Sequence, residues 1–222
     1  MQRQRLTITL ETELLDAIDT LVDGELLRNR SHAIEHFLKE GIGLHDLRQA
    51  FLFFPSETLF SQDQLETVIT ACFNDAVPDL FIGTPSASGS RAAEVSAIIA
   101  QVAKRLGNET FFTLRRVPLD FGSGAAVLLH KELLEGPFVI CTFDGQLASP
   151  TSFLQPYLFH KKHGSPLTLC MTQNDDLSFQ ASGVAIAQPE IVAAIPAGMS
   201  SLEKNIFPQL LKEGKVRGYT IL

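Results

Sequence analysis

The chain has 222 residues, 45% of them hydrophobic and 19% charged, with a formal net charge of −7 and a pI near 5.3. That balance excludes a chiefly disordered chain and any global attraction to nucleic acid, so contact with a polyanion has to come from a local patch. No apolar run approaches the ~18 residues of a membrane span, and acidic residues stand where a secretory signal would need an apolar stretch. The three cysteines, Cys72, Cys141 and Cys170, are widely spaced with no CxxC, so a reducing cytoplasm is the expected compartment.

Arg5-Leu6-Thr7-Ile8-Thr9-Leu10 alternates polar and apolar with period two, which predicts a strand with Leu6, Ile8 and Leu10 on its buried face. Glu11-Thr12-Glu13 then opens a helix, with Leu14, Leu15, Ile18, Leu21 and Val22 at helical spacing and Asp23-Gly24 as its stop. A second helix starts around Asn29-Arg30-Ser31, buries Ala33, Ile34, Phe37 and Leu38, and ends at Gly41 or Gly43. One strand and two short helices bury too little to stand alone, so an obligate dimer with paired strands is the economical solution. His32 and His36, at i and i+4, read as a solvated pair with a metal site as the alternative.

The segment QRLTITLETELLDAIDTL followed by NRSHAIEHFLKEG resembles the ribbon-helix-helix family of DNA-binding proteins, the MetJ/Arc type, and within it the nickel-responsive regulators. The resemblance covers about residues 3–42. It implies that Arg3, Arg5, Thr7 and Thr9 reach the major groove of double-stranded DNA, and that Asn29, Arg30 and Ser31 hold a phosphate at a helix start. The alternative for Arg5, Thr7 and Thr9 is the solvated face of an edge strand. Residues 1–49 hold six Lys/Arg against nine Asp/Glu, yet four of the six lie on the strand or at the start of the second helix.

Residues 44–50 form a linker or extend the helix, and residues 51–222 alternate strands and helices. Strands are expected at 51–54, 79–83, 111–114, 138–143, 167–171 and 183–187, and helices at 61–73, 92–106, 122–134, 153–163 and 200–212. Strands separated by helices of this length imply an α/β domain with a mostly parallel sheet. His160 and His163 are expected on the surface of a helix end, and the 16 phenylalanines in the core.

Three stretches resemble the nucleotidyltransferase-like (GT-A/Rossmann-like) fold of sugar-phosphate nucleotidylyltransferases. They are PLDFGSGAAVLLHKELLEGPFVICTFDG, SFLQPYLFHKKHGSPLTLCM and GVAIAQPEIVAAIPAGMSSLEKNIFPQLLKEGKVRGYTI. The resemblance implies a ligand pocket at Gly122, Ser123, Gly124, Asp144 and Gly145, for a nucleotide or sugar phosphate. Gly122-Ser123-Gly124 reads equally as a tight turn with a helix cap, and Asp144-Gly145 as a strand-ending turn.

Departures from that family shape the expected activity. Active members carry a glycine-rich, basic phosphate loop after the first strand, whereas Pro55-Ser56-Glu57-Thr58-Leu59-Phe60-Ser61 has neither glycine nor a basic residue. Asp144 stands where the first metal-binding aspartate belongs, and the chain ends before the place of the second. The expectation is a pseudoenzyme that needs no metal or cofactor. Joined, the halves read as a homodimeric or tetrameric ribbon-helix-helix transcriptional regulator whose inactive nucleotidyltransferase-like domain senses a ligand or oligomerises. The alternatives are an active sugar-phosphate nucleotidylyltransferase with a DNA-binding head, or a DNA-organising or partition protein.

Overall fold

The computed structural model describes residues 7–24, 27–41, 46–55, 61–86, 89–144, 147, 151–174 and 176–221, in two compact units, 1–44 and 45–222. No helix among the described residues is long and apolar enough to cross a membrane.

In the first unit, α1 spans Thr12–Leu21 and α2 spans Arg30–Gly41. Asn29 caps α2 by accepting from the His32 N–H at 3.0 Å, the role its short amide favours at a helix start. Arg30 is engaged by Asp19 through both ends of its guanidinium, an exposed pair that holds the Asp19 carboxyl below its ordinary range. The strand expected at Arg5–Leu10 is not seen: residues 1–6 lie outside the described residues, and residues 7–10 join no ladder. A ribbon-helix-helix domain is thus not shown.

The second unit is built on a seven-stranded sheet in the order β3-β2-β1-β4-β6-β5-β7. Its strands are β1 (Gln49–Phe53), β2 (Asp79–Thr84), β3 (Thr113–Pro118), β4 (Phe138–Thr142), β5 (Leu167–Gln173), β6 (Phe179–Ala187) and β7 (Val216–Thr220). Neighbours run parallel except at β4–β6 and β5–β6. The helices are α3 (Gln62–Asn74), α4 (Gly89–Arg105), α5 (Gly122–Leu129), α6 (Leu154–His163) and α7 (Phe207–Lys212).

The period of two along each strand sorts the core into two layers. Leu52, Phe54, Leu80, Ile82, Val139, Cys141 and Phe143 join one buried cluster, which α3 and α4 complete through Leu65, Val68, Ile69, Val95 and Ile99. Phe51, Phe53, Phe81, Phe138 and Ile140 join the other, completed by Val127 of α5, Leu202 and Leu210. Phe51 stacks on Phe81 at 4.4 Å and meets Phe138 edge-on at 5.5 Å, which locks the register of three adjacent strands. The alternation carries Thr142 onto the same face as Phe138 and Ile140.

Several expected boundaries move for physical reasons. β1 starts at Gln49, inside the stretch read as linker, because the Gln49 amide reaches the Leu133 carbonyl and the strand pairs on both sides. β3 begins at Thr113; Phe111 and Phe112 pack instead with Phe73, with centroids at 4.8 and 6.5 Å. An edge strand tolerates its exposed Arg115, Arg116 and terminal Pro118. The helix expected at 200–212 is a π-helical turn, Leu202–Ile206, leading into α7, since Pro208 offers no N–H to continue a regular ladder. β7 had no expected counterpart; its mixed VRGYT pattern suits an edge.

Candidate functional site

β1 is flanked by β2 on one side and β4 on the other, both parallel to it. The connections leaving these two central strands therefore diverge, and a crevice opens outside their carboxyl ends, the place where open α/β sheets bind ligands. A cavity of about 400 Å³ lies there, with Phe53, Pro55, Pro85 and Leu119 forming an apolar slot. Ser123, Thr142, Asp144, Ser201, Glu203 and Lys204 make its polar part.

Glu203 is the best-anchored of these polar groups. Its carboxylate accepts from the hydroxyls of Thr142, Ser123 and Ser201, each at 2.8 Å. Thr142 and Ser123 are themselves buried, and Ser123 Oγ also accepts from the Leu202 N–H at 2.9 Å. Three hydroxyl donors use about three of the roughly four acceptor positions of a carboxylate. The π-helical turn that carries Glu203 is tied down by Ser201, whose hydroxyl accepts from the Lys204 N–H at 3.1 Å.

The expected glycine-rich helix start serves close packing. Gly122 has φ 88, and a Cβ there would lie 2.3 Å from the Ser200 carbonyl oxygen. Gly124 donates its N–H to that same oxygen at 2.9 Å, and a Cβ on it would meet Ser200 Oγ at 2.6 Å. The tight-turn reading describes this geometry: Gly122 and Ser123 still line the cavity, whereas Gly124 is buried against residue 200.

A second cavity, of about 370 Å³, adjoins the first. The two share Thr142, Asp144 and Glu203, so these residues form a wall between two chambers. Ile140, Leu169, Val184, Ala185, Phe207 and Leu211 give the second chamber its apolar lining.

Of the residues expected to bind a ligand, Gly122, Ser123 and Asp144 come together here, and Gly145 lies outside the described residues. Of those expected to bind DNA, Arg3 and Arg5 lie outside the described residues, Thr7, Thr9 and Ser31 are exposed, Asn29 caps α2, and Arg30 is bound to Asp19. Sequence reasoning missed Thr142, Ser201, Glu203 and Lys204. Thr142 was legible as the next cleft-side position after Phe138 and Ile140, but nothing local marks Glu203, whose partners Thr142 and Ser123 are 61 and 80 residues distant.

The histidine expectation is corrected at one position. His160 is fully buried, its Nδ1 2.9 Å from Thr168 Oγ1 and its Nε2 3.0 Å from the Gln188 amide nitrogen. Burial lowers its pKa to about 4, so it is neutral in the fold. His163 is exposed and packs against Phe159 in a tilted arrangement, with ring centroids 4.3 Å apart. His32 accepts from the Arg28 N–H, and the described residues contain no cluster of three or more metal-ligating side chains. The cysteines are free and buried, and burial pushes the Cys170 thiol up to about 12.

No protein-family model matches the chain. Among solved structures, a mycobacterial protein is similar over 82% of this chain and 68% of its own length, at 12% identity and a TM-score of 0.50. A cytidylyltransferase from Leptospira borgpetersenii serovar Hardjo-bovis (strain JB197) is similar over 79% of this chain and 76% of its own, at 13% identity and a TM-score of 0.47.

The expectation of a pseudoenzyme is corrected. Within the chain, both grounds for inactivity weaken: Glu203 places a second carboxylate beside Asp144 in one cleft, and Lys204 brings to that cleft a cation that the loop after β1 lacks. The chain carries a mixed α/β domain with a seven-stranded, mostly parallel sheet.

Proposed function

We propose that residues 45–222 form a nucleotidyl-transfer enzyme whose nucleotide occupies the cavity beside Asp144. The observation that carries this reading is the convergence of Asp144, Glu203 and Lys204 at the crevice where the strand order reverses. Phe53, Pro55, Pro85 and Leu119 offer apolar surface on which a planar base can lie. Lys204 offers the one cationic side chain lining that cavity among the described residues, suited to phosphate oxygens.

Nucleotidyl transfer in such folds uses a divalent cation, and the donor set here fits one that arrives with its substrate. Magnesium is commonly bound through one or two carboxylates with substrate phosphates completing the shell, rather than by an all-protein cage. Asp144 would hold it, with Glu203 contributing the acceptor position its three hydroxyl donors leave. The cation would neutralise charge on the phosphates. The protein's own work is to fix one side of the wall: Thr142, Ser123 and Ser201 keep Glu203 in one orientation, so that carboxylate needs no rearrangement when substrate binds.

Calorimetric titration of the full chain with magnesium nucleoside triphosphates tests this. Saturable binding at one site per chain is expected, abolished by chelation of the cation. Equal, negligible heats with all four nucleotides would remove the proposal.

We further propose that the first unit dimerises and contacts duplex DNA, as a head on this enzyme. Two features support it: α1 and α2 bury only Ile18 and Ala33 among the described residues, and they leave Leu14, Leu21, Phe37 and Leu38 exposed. A second copy would cover such a face. Sedimentation of the full chain is expected to give a dimer that Leu14→Lys dissociates, and Arg5→Ala is expected to weaken duplex binding by about 1–3 kcal/mol in a gel shift. A monomer at micromolar concentration that ignores DNA in dilute salt would refute this.

A further inference from the structure

We infer that the second chamber takes the acceptor of the transfer, and that this acceptor is an uncharged, largely apolar alcohol rather than a sugar phosphate. The inference rests on the nucleotidyl-transfer reading above. The two chambers meet at Thr142, Asp144 and Glu203, so a molecule in the second presents its nearer end to whatever lies against that wall in the first. The chemistry of the chambers differs. Lys204 lines the first, and no lysine, arginine or histidine among the described residues lines the second.

A phosphorylated acceptor would have to sit in that chamber facing two carboxylates with no cationic side chain of the chamber's own, which repulsion and desolvation disfavour. A sugar would also need several hydroxyl partners. Among the described residues, Gln180 is the only polar side chain that lines the second chamber besides the shared wall. Ile140, Leu169, Phe207 and Leu211 instead offer the apolar lining typical of a small-molecule pocket with a few convergent polar groups.

An alcohol fits both ends: its apolar body fills the lining and its hydroxyl meets the carboxylate wall, donating a hydrogen bond. In the transfer, the alcohol oxygen forms a bond to the α-phosphorus of the triphosphate. The bond from that phosphorus to the bridging oxygen of the leaving group breaks, pyrophosphate departs with the electron pair, and the hydroxyl proton passes to solvent. The products are pyrophosphate and a nucleoside monophosphate ester of the alcohol.

The test uses the full chain with straight-chain primary alcohols from butanol to octanol, titrated by calorimetry with and without magnesium nucleoside triphosphate. Glucose 1-phosphate serves as the charged comparison. Affinity is expected to rise roughly fourfold per added methylene, the increment of a buried CH₂, and glucose 1-phosphate to bind more weakly than octanol. Leu211→Glu, at the exposed mouth of the second chamber, is expected to weaken octanol at least tenfold, while Met199→Glu, also exposed but outside the lining, leaves it unchanged.

If nucleotides bind but affinity is flat with chain length, or Leu211→Glu and Met199→Glu act alike, or glucose 1-phosphate binds better than octanol, the inference is overturned and the nucleotide site stands. If nucleotides fail to bind, both fall together.

Discussion

Replacing Asp144 with asparagine is expected to lower pyrophosphate release from a nucleoside triphosphate by about 10²–10³-fold. The substitution keeps the shape of the side chain and removes its charge. A carboxylate that positions a divalent cation on phosphates accounts for several kcal/mol of charge stabilisation, and about 1.4 kcal/mol corresponds to a factor of ten in rate. Asp144 is the exposed member of the wall, two residues beyond β4, so the exchange should not disturb the core. Glu203→Gln should act differently. An amide offers one acceptor oxygen where Thr142, Ser123 and Ser201 now share two, so at least one hydroxyl loses its acceptor and every bond to the group loses its charge assistance. A loss of stability should accompany its loss of turnover, whereas Asp144→Asn should melt as the wild type does. Steady-state pyrophosphate release and thermal unfolding of the two variants separate these outcomes. Unchanged turnover in Asp144→Asn would exclude that carboxylate from the chemistry.

The second large effect is an acid-dependent loss of stability centred on His160. The ring is buried, and the Gln188 amide nitrogen, which can only donate, faces its Nε2. Nδ1 therefore carries the proton and donates to Thr168 Oγ1. A second proton on Nε2 would face the amide donor. With the folded pKa lowered from 6.5 to about 4, both states are neutral above pH 6.5. Below it the unfolded chain takes a proton that the fold refuses, and stability falls as the pH drops from 6.5 towards 4. The difference is about 2–3 kcal/mol across that window. Urea titrations at pH 7 and pH 4.5 should show it. His160→Gln should be less stable than wild type at pH 7 but should lack this portion of the acid loss. An identical acid loss in wild type and variant would assign the sensitivity to carboxylates elsewhere.

How far the sequence disclosed these features follows from where their causes lie. Phe138–Thr142 reads as a buried strand from its unbroken apolar run, and Asp144 is marked as a site residue by its place just after it. The helices of the second unit read well where apolar residues recur over three turns, as in α3 and α6. Edge strands read poorly, because half their surroundings are solvent: β3 admits Arg115 and Arg116, and β7 admits Arg217 and Gly218. Glu203 and His160 were illegible for a common reason. Each is defined by hydroxyl or amide partners brought in from other elements, and a helix face alone cannot announce a neighbour such as Thr168 or Gln188. Gly122-Ser123-Gly124 reads in the sequence equally as a ligand-facing helix start and as a tight turn with a cap; in the structure Gly122 and Gly124 pack closely against Ser200.

Crystals grown with a non-hydrolysable nucleoside triphosphate and manganese give the sharpest check, since manganese is located by its anomalous scattering. The expected result is a manganese peak within coordination distance of the Asp144 carboxylate, with the nucleotide outside the carboxyl ends of β1 and β4. A nucleotide bound elsewhere, or a manganese peak remote from Asp144, would contradict the assignment of this cleft.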